Sequence, residues 1–200
     1  MSANRWVSTS MPYLTPRENG RGDAWGADAA ARGRRGTQRI LYAGEVPASA
    51  EVAGLLGLAE GESVVVRRRL ILLDDQPNEL TDTYYPTAVA RGTRLAGTAK
   101  IPGGAVTLLA ELGYVGALVR EDVTADVPDD EEREALRTAP GEPVLRLTRL
   151  TLDRDGRPIQ VDRMVMPARR QRLRYEIEIG SGSGSGNQGA SGSGSASDSR

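Results

Sequence analysis

Apolar residues at a spacing of two fill the middle of the chain, and they come in two blocks. Ile40 to Val46 reads as one strand, and Val119 to Val127 as another, with Val119, Val123, Ala125 and Val127 on one side; both strands run into a Val-Pro pair. Each is followed by a short helical stretch. One is entered through Pro47-Ala48-Ser49, the other through Asp129-Asp130-Glu131-Glu132, whose negative charges suit a helix N-terminus. A Gly-Glu pair, Gly61-Glu62 or Gly141-Glu142, is expected to stop each helix. Two strands rich in Val, Leu and Thr then flank a tight turn, Asp74 to Pro77 in one block and Asp153 to Pro158 in the other, which is a hairpin signature. The order strand, helix, hairpin, stated twice, predicts an α+β domain: an antiparallel sheet of about six strands with helices on one face. A longer helix, Gly103 to Leu112, lies between the blocks, with Val106, Leu108, Leu109 and Leu112 at helical spacing and Gly113 as its stop.

The two blocks are an internal repeat. At an offset of 80 residues Glu51 meets Glu131, Leu56 meets Leu136, Val64 meets Val144, and Arg69-Leu70 meets Arg149-Leu150. One extra residue in the second turn then brings Pro77 onto Pro158 and Pro86 onto Pro167. A period this long and irregular fits two halves of one domain rather than a solenoid.

Outside the repeat the pattern fades. Residues 1–37 mix Pro, Gly and charge, with a short helix expected around Asp23 to Ala31, and read as an N-terminal arm or linker. Residues 38–180 form the folded domain, and residues 181–200, almost all Gly and Ser, read as a disordered tail.

Composition narrows the chemistry. The chain has no Cys and no His, which excludes disulfides, Cys/His zinc sites, Cys or Ser/His nucleophiles and histidine bases. No metal or cofactor is expected. With 26 basic against 27 acidic residues, the chain as a whole lacks the electrostatic footprint of a nucleic-acid binder. It has no apolar run of membrane-spanning length and no signal-peptide core, so a cytoplasmic protein is expected, with no membrane partner.

The segments VVVRRRLILLDDQP, TDTYYP, GGAVTLLAELG, VLRLTRLTLDRDGRPIQVD and LRYEIEI, spread from Ile40 to Ile179, resemble the UTRA domain, the effector-binding and dimerising half of HutC-type regulators in the GntR family. The resemblance implies a chorismate-lyase-like fold and a bacterial transcription regulator, not an enzyme. It further implies a homodimer, a small anionic effector, and DNA contact only through a winged-helix domain that these residues do not supply.

Site residues follow from the same resemblance, which places the ligand between the sheet and the helix joining the halves. In the arginine triplet, Arg67 and Arg69 share one face of the strand and Arg68 takes the other. Arg69, with its repeat partner Arg149, is the expected anion clamp, since guanidinium binds carboxylate or phosphate bidentately. A second pocket arginine of the family falls at Ile71 here, which argues against a sugar phosphate. Gly103 and Gly104 open the central helix, where free amides could hold an anion. The polar pocket positions fall at Thr81 and Gln160, with Tyr85 and Met166 further along. The acidic pairs Asp74-Asp75 and Asp129 to Glu132 are read as a turn and a helix start, without catalytic function. Two other readings stand beside this one: an enzyme of the chorismate-lyase type on the same sheet, and an interaction module that binds no ligand.

Overall fold

The computed structural model describes residues 5–17 and 22–177. Its centre is a six-stranded antiparallel sheet built from the two predicted halves. The first half contributes β2 (Gly36–Pro47), β3 (Ser63–Leu73) and β4 (Gln76–Pro86); the second contributes β5 (Leu118–Asp126), β6 (Val144–Leu152) and β7 (Pro158–Pro167). The strand order is β2-β3-β4-β7-β6-β5, so the halves meet back to back along β4 and β7. The repeat extends to its irregularities. The β3–β4 ladder shifts register between Ile71 and Leu72, and the β6–β7 ladder shifts between Thr151 and Leu152, the same step 80 residues later.

The repeat's helices, α3 (Ala50–Leu56) and α6 (Asp130–Leu136), lie together on one face of the sheet. Val52, Ala53 and Leu56 of α3 pack on Val64, Leu150 and Val161; Leu136 of α6 packs on Leu70, Leu80, Val144 and Val165. Each buried side chain of this kind contributes roughly 1.5–3 kcal/mol over leaving it exposed. Both helices begin on a side-chain cap. Ser49 accepts from the Val52 amide, and Asp129 and Glu132 form a reciprocal capping box. The Gly-Glu pairs are not the helix stops that the sequence suggested. The helices end earlier, at left-handed Gly57 (φ 67°) and Arg137 (φ 51°). Each Gly-Glu pair instead makes the turn into the next strand, with Glu62 accepting from the Ala59 amide and Glu142 from the Ala139 amide, at 3.2 and 3.1 Å.

The opposite face is covered by segments outside the repeat. The connection between the halves supplies α4 (Thr87–Ala90), a 3-10 turn at Arg94–Ala96 and α5 (Ala105–Glu111), whose Leu108 and Leu109 pack with Leu95 and Ile101 over Val65 and Tyr85. The N-terminal arm supplies β1 (Trp6–Ser8), α1 (Met11–Leu14) and α2 (Ala24–Ala31). The expected short helix is there, and the arm does more than link. β1 pairs in parallel with β8 (Gln171–Leu173), and Trp6, Trp25 and Ala29 bury themselves against Ile71 and Leu73. The indole N–H of Trp25 donates to the Leu72 carbonyl at 3.0 Å. Gly36 permits this contact, because a Cβ there would lie 2.8 Å from both the Ala29 Cβ and the Trp25 Nε1. That contact accompanies a β2 that starts four residues earlier than the apolar pattern suggested. The Gly/Ser tail expected over 181–200 lies outside the described residues.

Candidate functional site

Between the second face of the sheet, the inter-half connection and the arm lies a cavity of about 410 Å³. Strand alternation determines its floor. Arg67 and Arg69 of β3, Thr81 and Tyr85 of β4, Gln160, Asp162 and Met164 of β7, and Arg149 of β6 all point the same way. Arg68 points to the other face, where it pairs with Asp82 at 2.8 Å and with Glu131. The three consecutive arginines are therefore two inside the cavity and one outside it.

The two cavity arginines of β3 are used differently. Arg67 is 3% exposed and donates to the carbonyls of Arg94, Leu95 and Ala99, and at closer range to Gly97. It fixes the connection above it, and its burial holds the guanidinium below its ordinary value. Arg69 donates to the Thr83 hydroxyl at 3.0 Å, while its buried Nε has no hydrogen-bond partner. Thr83 in turn donates to Asp162 at 2.7 Å, and Gln160 donates to the other oxygen of Asp162 at 2.6 Å. Arg149, the repeat partner of Arg69, is engaged already. Its Nε donates to Glu121 at 2.6 Å and another nitrogen to Ser10 of the arm at 3.1 Å, so two of its nitrogens brace one wall of the cavity. Burial alone would raise the Glu121 carboxyl; the Ser10 hydroxyl and Arg149 outweigh it and hold the group below its ordinary value.

Glu79 sits two residues from Thr81 on the same face and accepts its hydroxyl. Burial raises this carboxyl above 4.5, against the pull of Thr81, Arg69 and Arg149. A raised carboxyl binds its proton more tightly and is less repulsive to an anion.

Gly103 and Gly104 line the cavity, but not as a pair of free donors. The Gly104 amide donates to the Ile101 carbonyl at 3.0 Å. What glycine provides is conformation: φ is 74° and 90° at the two positions, and a Cβ on Gly103 would press on Thr107 at 3.2 Å. Met166 is placed outside the cavity. It is packed with Leu147, Met164 and Leu173, because the chain returning through β8 fills that end of the sheet, and Met164 takes the lining position instead. Sequence reasoning missed Asp162 and Glu79, which strand parity with Gln160 and Thr81 could have supplied. It also missed the arm residues Trp6, Tyr13, Arg17 and Trp25, for which two tryptophans in a polar segment were the only sign.

A repeated antiparallel sheet with a polar cavity under the inter-half helix defines a small-molecule-binding domain, and the family model for the UTRA domain matches residues 31–172. The chain belongs to the UTRA-domain family. Its relatives include an HTH-type transcriptional regulator of Streptomyces coelicolor, 38% identical over 135 residues, which span 65% of this chain and 50% of the relative. Another, from Rhizobium meliloti, is 30% identical over 141 residues, 69% of this chain and 56% of the relative. The chain thus spans about half the length of the curated relatives it matches. Among solved structures, a GntR-family transcriptional regulator superposes with a TM-score of 0.75 at 22% identity, over 90% of this chain and 72% of the other. The effector domain of PhnF from Mycobacterium smegmatis gives 0.67 at 20% identity, over 78% and 94%. The ligand-binding domain of a GntR-family regulator from Bordetella bronchiseptica gives 0.63 at 28% identity, over 72% and 92%. The fold is that of the GntR effector domains.

Proposed function

We propose that this chain is the effector-sensing and dimerising part of a GntR-type transcription regulator of the HutC subfamily, and that its cavity binds a small anion. The observation that carries the reading is Arg69: a guanidinium on the cavity floor whose buried Nε has no partner among the described residues and whose only acceptor among them is a hydroxyl. A buried donor left unmatched is costly, and an anionic ligand would satisfy it. Of the three cavity carboxylates, Glu79 and Asp162 accept from Thr81, Thr83 and Gln160 and Asp23 pairs with Lys100, an arrangement that supports binding rather than acid-base catalysis. The names of relatives support the rest: HTH-type regulators in sequence, effector and ligand-binding domains in structure. DNA would be contacted by a winged-helix domain attached to this part or carried by a partner, and a homodimer would pass the ligand's effect to it. Such a regulator works in the cytoplasm; among the described residues no helix is long and apolar enough to cross a membrane.

A ligand that binds only the folded state raises stability by about 2.7 kcal/mol at 100 times its Kd. Thermal denaturation in the presence of sugar phosphates, carboxylates and neutral metabolites is expected to give a shift with an anion and none with its neutral counterpart. Arg69→Gln is expected to remove the shift. Stabilisation by neutral compounds alone, or an undiminished shift in Arg69→Gln, would overturn the reading.

A further inference from the structure

The chain as a whole is electrically balanced, but its charges are not evenly spread. Between Asp162 and Glu176 the sequence carries five arginines and no carboxylate. One of them, Arg163, pairs with Glu51 at 3.3 Å, as Arg91, Arg133 and Arg157 pair with carboxylates of their own. The other four, Arg169, Arg170, Arg172 and Arg174, lie in the turn after β7, in β8 and just past it, and none has an ion pair among the described residues.

Local structure turns these side chains to one side. In the parallel β1–β8 ladder Trp6 lies opposite Gln171 and Val7 opposite Arg172. Trp6, Ser8 and Gln171 line the cavity and Leu173 packs beside Met166, so strand parity sends Val7, Arg172 and Arg174 outward. Arg174 keeps the register, its amide donating to the Ser8 carbonyl at 2.9 Å. Arg169 is exposed in the turn, and Arg5 of the arm reaches it, donating from Nε to the Arg169 carbonyl at 3.3 Å. Arg5 is exposed too and has no ion pair among the described residues. Four exposed guanidiniums, those of Arg5, Arg169, Arg172 and Arg174, are thus gathered on the outside of one ladder. Arg170 holds that ladder from beneath. It donates to the carbonyls of Pro77, Leu136 and Arg137 at 2.8, 3.1 and 3.0 Å, while its own carbonyl accepts from the Trp6 amide at 2.7 Å.

Like charges gathered this closely repel one another, and a polyanion relieves that repulsion. Arg172 and Arg174 stand about 6.7 Å apart along an extended strand, near the separation of successive phosphates on one nucleic-acid strand. Guanidinium also matches phosphate bidentately. We propose that this outer face contacts the phosphate backbone of DNA, without regard to base sequence, beside the contacts of the winged-helix domain. The proposal rests on the reading of the chain as part of a transcription regulator and goes beyond it, because it gives the effector part a DNA contact of its own. The same ladder lines the effector cavity with its inner face.

The test follows the anisotropy of a labelled duplex of about 20 base pairs and arbitrary sequence as the intact chain is added, from about 20 to about 200 mM KCl. Each phosphate neutralised contributes about −0.9 to the slope of log K against log salt, so four arginines predict a slope of about −3.6. The triple variant Arg169→Ala, Arg172→Ala, Arg174→Ala is expected to bind at least about tenfold more weakly at the lowest salt, with a slope flatter by about 2.7; Arg5→Ala alone flattens it by about 0.9. Arg154→Ala, an exposed arginine beyond the opposite end of β7, is expected to change neither. Because the four charges repel, the triple variant is expected to melt no lower than the parent, which separates a lost contact from lost folding. No binding at the lowest salt, or the parent's slope in the triple variant, would overturn the proposal. So would polyglutamate displacing the duplex as readily as unlabelled DNA does at equal charge, since the face would then be a site for acidic protein. The effector reading is judged separately in the same samples: a thermal shift with an anion that persists in the triple variant leaves it standing whatever the DNA titration gives.

Discussion

Arg67 occupies the cavity floor without acting as a ligand residue, since its donors are committed to the carbonyls of the segment that roofs them. Arg67→Met keeps much of the apolar stem but strands those carbonyls, each at about 1–3 kcal/mol when buried. A loss of at least about 3 kcal/mol in urea unfolding is expected, with hydrogen exchange increasing first around residues 91–104. A loss below about 1 kcal/mol would mean that the connection holds itself. Glu79 gives a prediction of a different kind. Burial raises its carboxyl above 4.5, so the folded state binds this proton more tightly than the unfolded state. Its contribution to stability is therefore fully present below the ordinary value and is lost as pH rises through the raised one. Glu79→Gln removes that loss. Variant and parent should converge in urea midpoint near about pH 4, and the variant should be the more stable by about pH 8. A gap of equal size at both values would show that Glu79 does not titrate in this way.

At the scale of elements, the first hairpin turns on Asp74 and Asp75, both with positive φ, at 48° and 63°, a conformation for which glycine is better suited. The two aspartates differ in what their side chains do. Asp74 accepts the Arg35 amide at 2.8 Å and the Arg34 guanidinium at 2.7 Å, which hold its carboxyl below the ordinary value. Among the described residues Asp75 pairs with the exposed Arg35 side chain, a pair of small value. Asp75→Gly should thus stabilise the chain by up to about 1 kcal/mol, while Asp74→Gly, with the same backbone relief, should not. Equal effects in thermal unfolding would show that backbone strain alone matters at this turn. The elements that could be read from the sequence are those whose burial has a period. Alternation along β3, β4, β6 and β7 revealed both hairpins and separated Arg67 and Arg69 from Arg68, because strand parity is geometric; the repeat pointed to Arg149 and the resemblance to Thr81, Tyr85 and Gln160, and the structure puts them on one face with Arg69. It could not show that Arg149 is occupied by Glu121, a partner on a neighbouring strand, or that β8 closes the sheet over Met166. The arm reads as an arm or linker in the sequence, and its packing on the sheet was not legible because two tryptophans and one alanine, spread over a polar segment, carry its burial.

Across the whole molecule the two edges of the sheet are unlike. β2 is flanked by the arm at one end and by the bidentate Arg91–Glu45 pair at the other. β5 is exposed along almost its whole length, and among the described residues its outer edge has no strand beside it. Leu118 and Val123 on this strand, and Val127 just past it, are 51%, 43% and 60% exposed. An open edge bearing apolar side chains is a surface that proteins normally cover or blunt, and a second copy of the same strand would cover it symmetrically with the backbone groups both edges leave free. Such a pairing would relate two effector cavities by a twofold axis, and Val123 shares its sheet face with Leu147 and the Arg149 side of the cavity. Val123→Lys places a charge in the centre of that contact while changing a residue that is already largely exposed in the single chain. In sedimentation velocity the unmodified chain is expected at twice its mass of 21.3 kDa and the variant at 21.3 kDa, with an unchanged melting temperature once both are measured at a concentration where the parent has dissociated. A parent that sediments as a single chain at every concentration would leave this edge without a role in assembly, and a dimer that survives the substitution would move the interface to another face.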